Sequence, residues 1–233
     1  MVYDLYVKDD LTNKPIPNCK VTLTGSDSSI VVKYTDSLGR VIFQKEGEVY
    51  LINMSTSYNV KISKFLYVDA FERFSTVGGY SKRFVHEVFL KYEKDKVYDF
   101  PEIQFAYDKS DLLVIDGKIN SYDSLDFLYQ LMIENPTIIV EIQNHKDCRG
   151  KAIYSSSSGN TQRRAQACVD YLVSKGIPQE RLVAKGYGNQ VPRGPGLDCE
   201  SIKKLPTKEE QEIAHQLNRR TQFKVLSFEY KPS

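Results

Sequence analysis

Apolar and polar residues alternate along the first third of the chain. VYDLYV, CKVTLTG, IVVKYTD, RVIFQ, YNVKIS and RFVHEVFLKY each read as a strand, and turn signals such as TNKPIPN, DSLG and VGG divide them. The pattern predicts an all-β sandwich of roughly seven short strands over residues 1–92. Asp36 and Gly39 read as turn residues, the acid capping the turn and the glycine taking a positive φ. The charged stretch from Lys91 to Phe100 marks the boundary, with 93–97 as linker and a second domain over 98–233.

There the period changes. Tyr122, Leu125, Leu128, Tyr129 and Met132 recur at helical spacing, so Ser121 to Glu134 is expected as a helix, stopped by Asn135 and Pro136. TIIVEIQ follows as a strand with Ile138, Val140 and Ile142 on one face. A second helix is expected over Gln162 to Lys175, ended by Gly176, then a strand in RLVAKGYG, a helix over Lys208 to Leu217, and a last strand in RTQFKVLSF. Alternating strands and helices predict an α/β domain with helices packed on a sheet.

Length and composition agree with this division. The chain has 233 residues, 41% hydrophobic and 27% charged, as expected of two water-folding domains. A net charge of +2 with interleaved signs gives no long-range field for nucleic acid or an anionic bilayer, so any anion site must be local. No apolar run approaches the ~20 residues a membrane-spanning helix needs. The opening MVYDLYVKDD already alternates as a strand, with neither a basic nor an apolar leader before it, which suggests a piece of a longer secreted chain. Cys19, Cys148, Cys168 and Cys199 show no CxxC spacing, which argues against a zinc ribbon; fully paired they allow three connectivities, and spacing does not choose among them.

The candidate chemistry lies in the connector NHKDCRGKAIYSSSSGNTQRRA, Asn144 to Ala165. On a helical wheel Ala165, Cys168, Val169, Leu172 and Val173 share one face. Arg164 lies roughly 110° from the centre of that face and Arg163 roughly 150°, so Arg164 is the one held against the domain. Asn160 and Thr161 read as N-cap residues, placing both arginines in the first turn, where the helix dipole disfavours cations and favours an anion nearby. A surface ion pair to Asp147 would satisfy them; so would a ligand carboxylate held by Arg164 and the helix amides. Asp147 follows the carboxyl end of a strand, the edge where open α/β sheets bind ligands. An acid facing an arginine suits a zwitterion, ammonium to Asp147 and carboxylate to Arg164.

From about Tyr98 to Phe228 the sequence resembles the OmpA-like C-terminal domain, a peptidoglycan-binding module. QFAYDKSDL matches its F-x-F-D-K opening, NHKD with RG its G-H-T-D-x-x-G, NTQRRA its L-S-x-R-R-A, KGYGNQVP its G-x-G-E-x-x-P and NRRTQFKV its N-R-R-V-E-I. The resemblance implies non-covalent binding of the peptidoglycan stem peptide through meso-diaminopimelate, with helices on a mixed sheet. Asp147 is then assigned to the ammonium and Arg164 to the carboxylate, with Tyr107, Asp108 and Asn160 as further ligand contacts. The sequence departs from the family at Asn144 and Lys146, the latter placing an ammonium beside the acid, and in a Ser/Gly loop two residues longer. NKPIPNCKVTLTG and YTDSLGRVIFQ resemble the carboxypeptidase-regulatory-like, transthyretin-type sandwich. By domain order the pair is similar to Bacteroidetes envelope lipoproteins, including a peptidoglycan anchor associated with type IX secretion. This resemblance implies a periplasmic protein at the outer membrane, anchoring an outer-membrane or secretion-system assembly, with such proteins docking on the sandwich.

No enzyme, cofactor or metal site is expected. His145, Asp147 and Cys148 could suggest a thiol nucleophile, but they are only a tight turn apart, without a second acid, an oxyanion-hole motif or a fourth metal ligand. The competing class is a protein-interaction module whose second domain has lost the wall; the 16 tyrosines would suit an interface. Asp147 discriminates: open toward Arg164 it favours wall binding, covered by Lys146 or Arg149 it favours the interaction module.

Overall fold

The computed structural model describes residues 1–79, 82–100, 103–106, 109–115, 118–149 and 159–231. The chain divides into two compact units, Met1–Glu93 and Lys94–Ser233.

Unit 1 is all-β. Its strands are β1 (Val2–Asp9), β2 (Lys20–Gly25), β3 (Ile30–Tyr34), β4 (Arg40–Phe43), β5 (Lys45–Glu46), β6 (Val49–Tyr50), β7 (Ser57–Ser63), β8 (Ala70–Ser75) and β9 (Arg83–Leu90). One sheet has the order β4-β1-β9, with β1 parallel to β9; the other runs β3-β2-β7-β8, antiparallel throughout; β5 and β6 form a small hairpin. Side chains from both larger sheets meet in one core. Tyr3 of β1 stacks on Phe74 of β8 at 4.3 Å, and Phe74 on Tyr58 of β7 at 4.9 Å. Buried Asp4 is matched by Arg40, 2.8 Å away, and by Arg83. The turn into β4 forms as its residues dictate: Asp36 accepts from the backbone of Leu38 and Arg40, and Gly39 has φ +67, where an added Cβ would lie 2.5 Å from the Val7 carbonyl.

Unit 2 contains β10 (Val97–Asp99), β11 (Val114–Ile115), β12 (Ile119–Asn120), α1 (Ser121–Glu134), β13 (Ile139–His145), α2 (Gly159–Ser174), a 3₁₀ turn (Gln179–Arg181), β14 (Leu182–Gly188), α3 (Cys199–Lys203), α4 (Lys208–Asn218) and β15 (Arg220–Ser227). The sheet order is β10-β15-β13-β14, mixed, with only β13 and β14 parallel. Ile138, Val140 and Ile142 are fully buried, as are Leu125, Leu128 and Met132 of α1 and Ala165, Cys168, Val169 and Leu172 of α2. Asn120 caps α1 by accepting from the Tyr122 N–H. At the other end buried Arg181 donates to the carbonyls of Met132 and Asn135, a cation where the helix dipole favours one. Thr207 and Glu210 form a reciprocal capping box on α4.

Among the described residues Cys148 and Cys199 form a disulfide, while Cys19 and Cys168 are buried thiols. The bond ties the loop after β13 to the start of α3, across 51 positions. With its sulfur committed, Cys148 offers no thiolate beside His145.

Candidate functional site

Two contacts bring the end of β13 and the start of α2 together at Gly188. The Lys146 N–H donates to the Gly188 carbonyl at 2.9 Å, continuing the parallel ladder one residue past β13. The Gly188 N–H donates to Thr161 Oγ1 at 3.1 Å. Gln162 bonds β14 both ways, accepting from the Gly186 N–H at 2.8 Å and donating to the Ala184 carbonyl at 2.9 Å. Gly186 permits this approach: a Cβ there would lie 2.2 Å from the Gln162 nitrogen.

These bonds correct one expectation. α2 begins at Gly159, so Asn160 and Thr161 lie inside the helix, and the arginines fall after its first turn. Thr161 sits two residues inside the helix, and its hydroxyl accepts from the Gly188 N–H of β14. The wheel holds: Arg163 is exposed and Arg164 half-buried. Arg164 donates from Nε to the Lys109 carbonyl at 2.8 Å and from Nη2 to that of Ala106 at 3.4 Å, and its guanidinium lies over the Phe105 ring at 5.0 Å. It therefore reaches the segment that contains two expected ligand contacts; those two, Tyr107 and Asp108, lie outside the described residues.

Asp147 is buried at 7% exposure and its ion partners are Arg149 and Arg219. Arg149 donates from its backbone N–H to Oδ1 at 2.9 Å, and from Nε and Nη2 to Oδ2 at 3.0 and 2.8 Å. Arg219, at the end of α4, also donates to Oδ2. Both guanidiniums continue to Glu212 of α4, closing a ring of two acids and two bases with no net charge. Burial opposes the charge on Asp147, but the hydrogen bonds from Arg149 and Arg219 outweigh it and hold the carboxyl below its usual range. The same arginines draw Glu212 down to about 2. Lys146, the residue that departs from the expected pattern beside the acid, bonds through its backbone N–H to the Gly188 carbonyl. Asn144, the other departure, is structural: its Nδ2 donates to Thr221 Oγ1 at 2.9 Å, tying β13 to β15.

Glu212 and Arg219 were not foreseen as site residues. Their spacing of seven positions across one helix and its end was the available signal, since it puts both on one face. No group of three or more metal-ligating side chains occurs among the described residues.

Residues 104–195 match the OmpA family model. Asp147 and Arg164 both lie within the matched segment. Outer membrane protein A of Escherichia fergusonii is 32% identical over 104 residues, which cover 44% of this chain and 40% of that protein. Outer membrane porin F of Pseudomonas fluorescens is 33% identical over 91 residues, 39% of this chain and 26% of that one. The chain thus spans less than half the length of these relatives. Among solved structures, the peptidoglycan-associated lipoprotein from Burkholderia pseudomallei aligns at 20% identity and a TM-score of 0.37, covering 53% of this chain and 86% of that one. No helix among the described residues is long and apolar enough to cross a membrane.

Proposed function

We propose that the OmpA-like domain binds the peptidoglycan stem peptide non-covalently, through meso-diaminopimelate, and anchors an envelope assembly to the cell wall. The carrying observation is that the two residues in the family's ligand positions, Asp147 and Arg164, stand on elements that meet at Gly188, within the matched segment. Arg164, braced by the Ala106 and Lys109 carbonyls, takes the ligand carboxylate. Asp147 takes the ammonium, which requires Arg149 to withdraw. That exchange is cheap in charge: Arg149 retains Glu212, Asp147 retains Arg219, and the arriving cation replaces the departing one. Asn160 and the two residues outside the described set, Tyr107 and Asp108, complete the ligand contacts.

On this reading the chain works in the periplasm at the outer membrane, without catalysis, and the all-β unit, a regulatory-like sandwich, carries the anchored partner. By domain order that partner belongs to an outer-membrane or type IX secretion assembly of a Bacteroidetes lipoprotein.

A second reading has its own observation. Arg149 covers Asp147, as expected of a module that has given up the wall and docks protein partners only. Calorimetric titration with a diaminopimelate-containing stem peptide, run beside Asp147→Ala, separates the two. Binding by the parent that disappears in the variant, with matching near-ultraviolet circular dichroism, supports the anchor. No heat from the parent rejects it and leaves the interaction module.

A further inference from the structure

Strand β3 ends the four-stranded sheet of unit 1, and its burial pattern is inverted. Ile30, Val32 and Tyr34 are 67%, 43% and 60% exposed, whereas Val31 and Lys33 are half-buried. Their neighbours on the outer face of the sheet are polar: Thr24 pairs with Ile30, Thr22 with Val32 and Lys20 with Tyr34. The apolar row therefore belongs to the edge strand itself.

Ladder parity fixes which backbone groups face outward. The Thr35 N–H bonds the Cys19 carbonyl and the Gly25 N–H bonds the Ser29 carbonyl, so the odd-numbered residues of β3 bond to β2. The N–H and C=O groups of Ile30, Val32 and Tyr34 then point away from the sheet. Edge strands are ordinarily protected by charge, proline or a bulge. The one charge in β3, Lys33, lies on the opposite face, where its Nζ bonds the Ile42 carbonyl and Glu46.

We propose that β3 pairs antiparallel with β3 of a second copy of this chain, about a two-fold axis through Val32. In that register Val32 faces Val32 of the other copy and Ile30 faces Tyr34. Each of these facing pairs exchanges both backbone hydrogen bonds, and the exposed side chains of Ile30, Val32 and Tyr34 from both copies collect on one face. The register also opposes no like charges: Val31 faces Lys33, Ser28 faces Asp36 and Asp27 faces Ser37. Each Lys33 keeps its own Glu46. An isologous contact needs only this one surface, present on both copies. With a strand this short the association is weak and concentration-dependent.

Sedimentation velocity of the full chain from about 10 µM to about 1 mM tests it, a range suited to weak interfaces. The parent is expected to shift from monomer to dimer. Val32→Lys and Val32→Glu each put like charges on the axis and should remain monomeric, while their equimolar mixture should regain the dimer, because only there do opposite charges meet. Val32 is exposed, so unchanged near-ultraviolet circular dichroism verifies that each variant folds. A parent that stays monomeric, a single variant that still dimerises, or a mixture that does not recover overturns the proposal.

Discussion

The guanidinium of Arg149 closes over the carboxylate of Asp147, with Nε and Nη2 at 3.0 and 2.8 Å from Oδ2. A ligand ammonium and Arg149 therefore compete for one acceptor. Arg149→Ala removes the competitor while leaving Arg219 on Asp147. Loss of charge-assisted hydrogen bonds of about 1–2 kcal/mol should then appear as stem-peptide binding tightened roughly tenfold. Titration of the variant beside the parent measures this; equal or weaker binding would mean that Asp147 does not receive the ammonium.

Adjacent arginines on α2 should behave differently. Arg164 is held by the Lys109 and Ala106 carbonyls and the Phe105 ring, whereas Arg163 is exposed. Arg164→Ala should abolish stem-peptide binding and Arg163→Ala should change it by less than about twofold, within the usual range for a surface charge. Arg164→Lys separates the roles, since it keeps the charge but loses the planar fork, and should recover little affinity. Equal losses at both positions would defeat the assignment of Arg164 as the inward arginine.

Much of this was legible from periodicity, and the failures have physical causes. Helix α1 runs over Ser121–Glu134 as its spacing predicts, because Asn120 caps its start and Arg181 takes its terminal carbonyls. Strand β8 was missed because its apolar residues are out of phase: Phe71 is exposed and Phe74 buried, so no period of two appears. Helix α3 is too short for any period. The start of α2 was misjudged because Thr161, a good cap by residue type, sits two residues inside the helix and accepts from the Gly188 N–H, a contact with no local signature. The ring of Asp147, Arg149, Glu212 and Arg219, like the Cys148–Cys199 bond, joins residues far apart in the chain. Such closure is tertiary, so residue types name its members without pairing them.

Gly186 should be the most demanding of the described glycines of unit 2. A Cβ there would lie 2.2 Å from the Gln162 nitrogen and 2.6 Å from the Thr161 carbonyl carbon, both backbone atoms that cannot step aside without moving α2. Gly186→Ala is expected to cost about 3 kcal/mol, at the upper end for overpacking. Gly194→Ala, where nothing lies within 4 Å, should be nearly neutral. Urea denaturation of the two variants gives the comparison; similar midpoints would show that α2 does not rest on β14 at this point.

His145 makes stability depend on pH. It is buried at 3% exposure and stacked on Tyr187 at 5.1 Å. Burial, and then the nearby positive charge of Arg220, lower its pKa to about 4, against the opposing pull of Asp99 and a hydrogen bond to the Val191 backbone. The unfolded chain, with an ordinary histidine near 6.5, therefore binds more protons than the folded one below neutrality. Stability from this group is complete above about pH 6.5 and is lost as the pH falls toward 4, amounting to about 2 kcal/mol between pH 7 and 5. Most carboxylates remain ionised over that interval, so the imidazole dominates the change. Urea denaturation at pH 7 and pH 5 should show the drop in the parent, and His145→Gln, which carries no titrating proton, should flatten it whatever its effect at pH 7. An undiminished slope in His145→Gln would assign the acid sensitivity to another group.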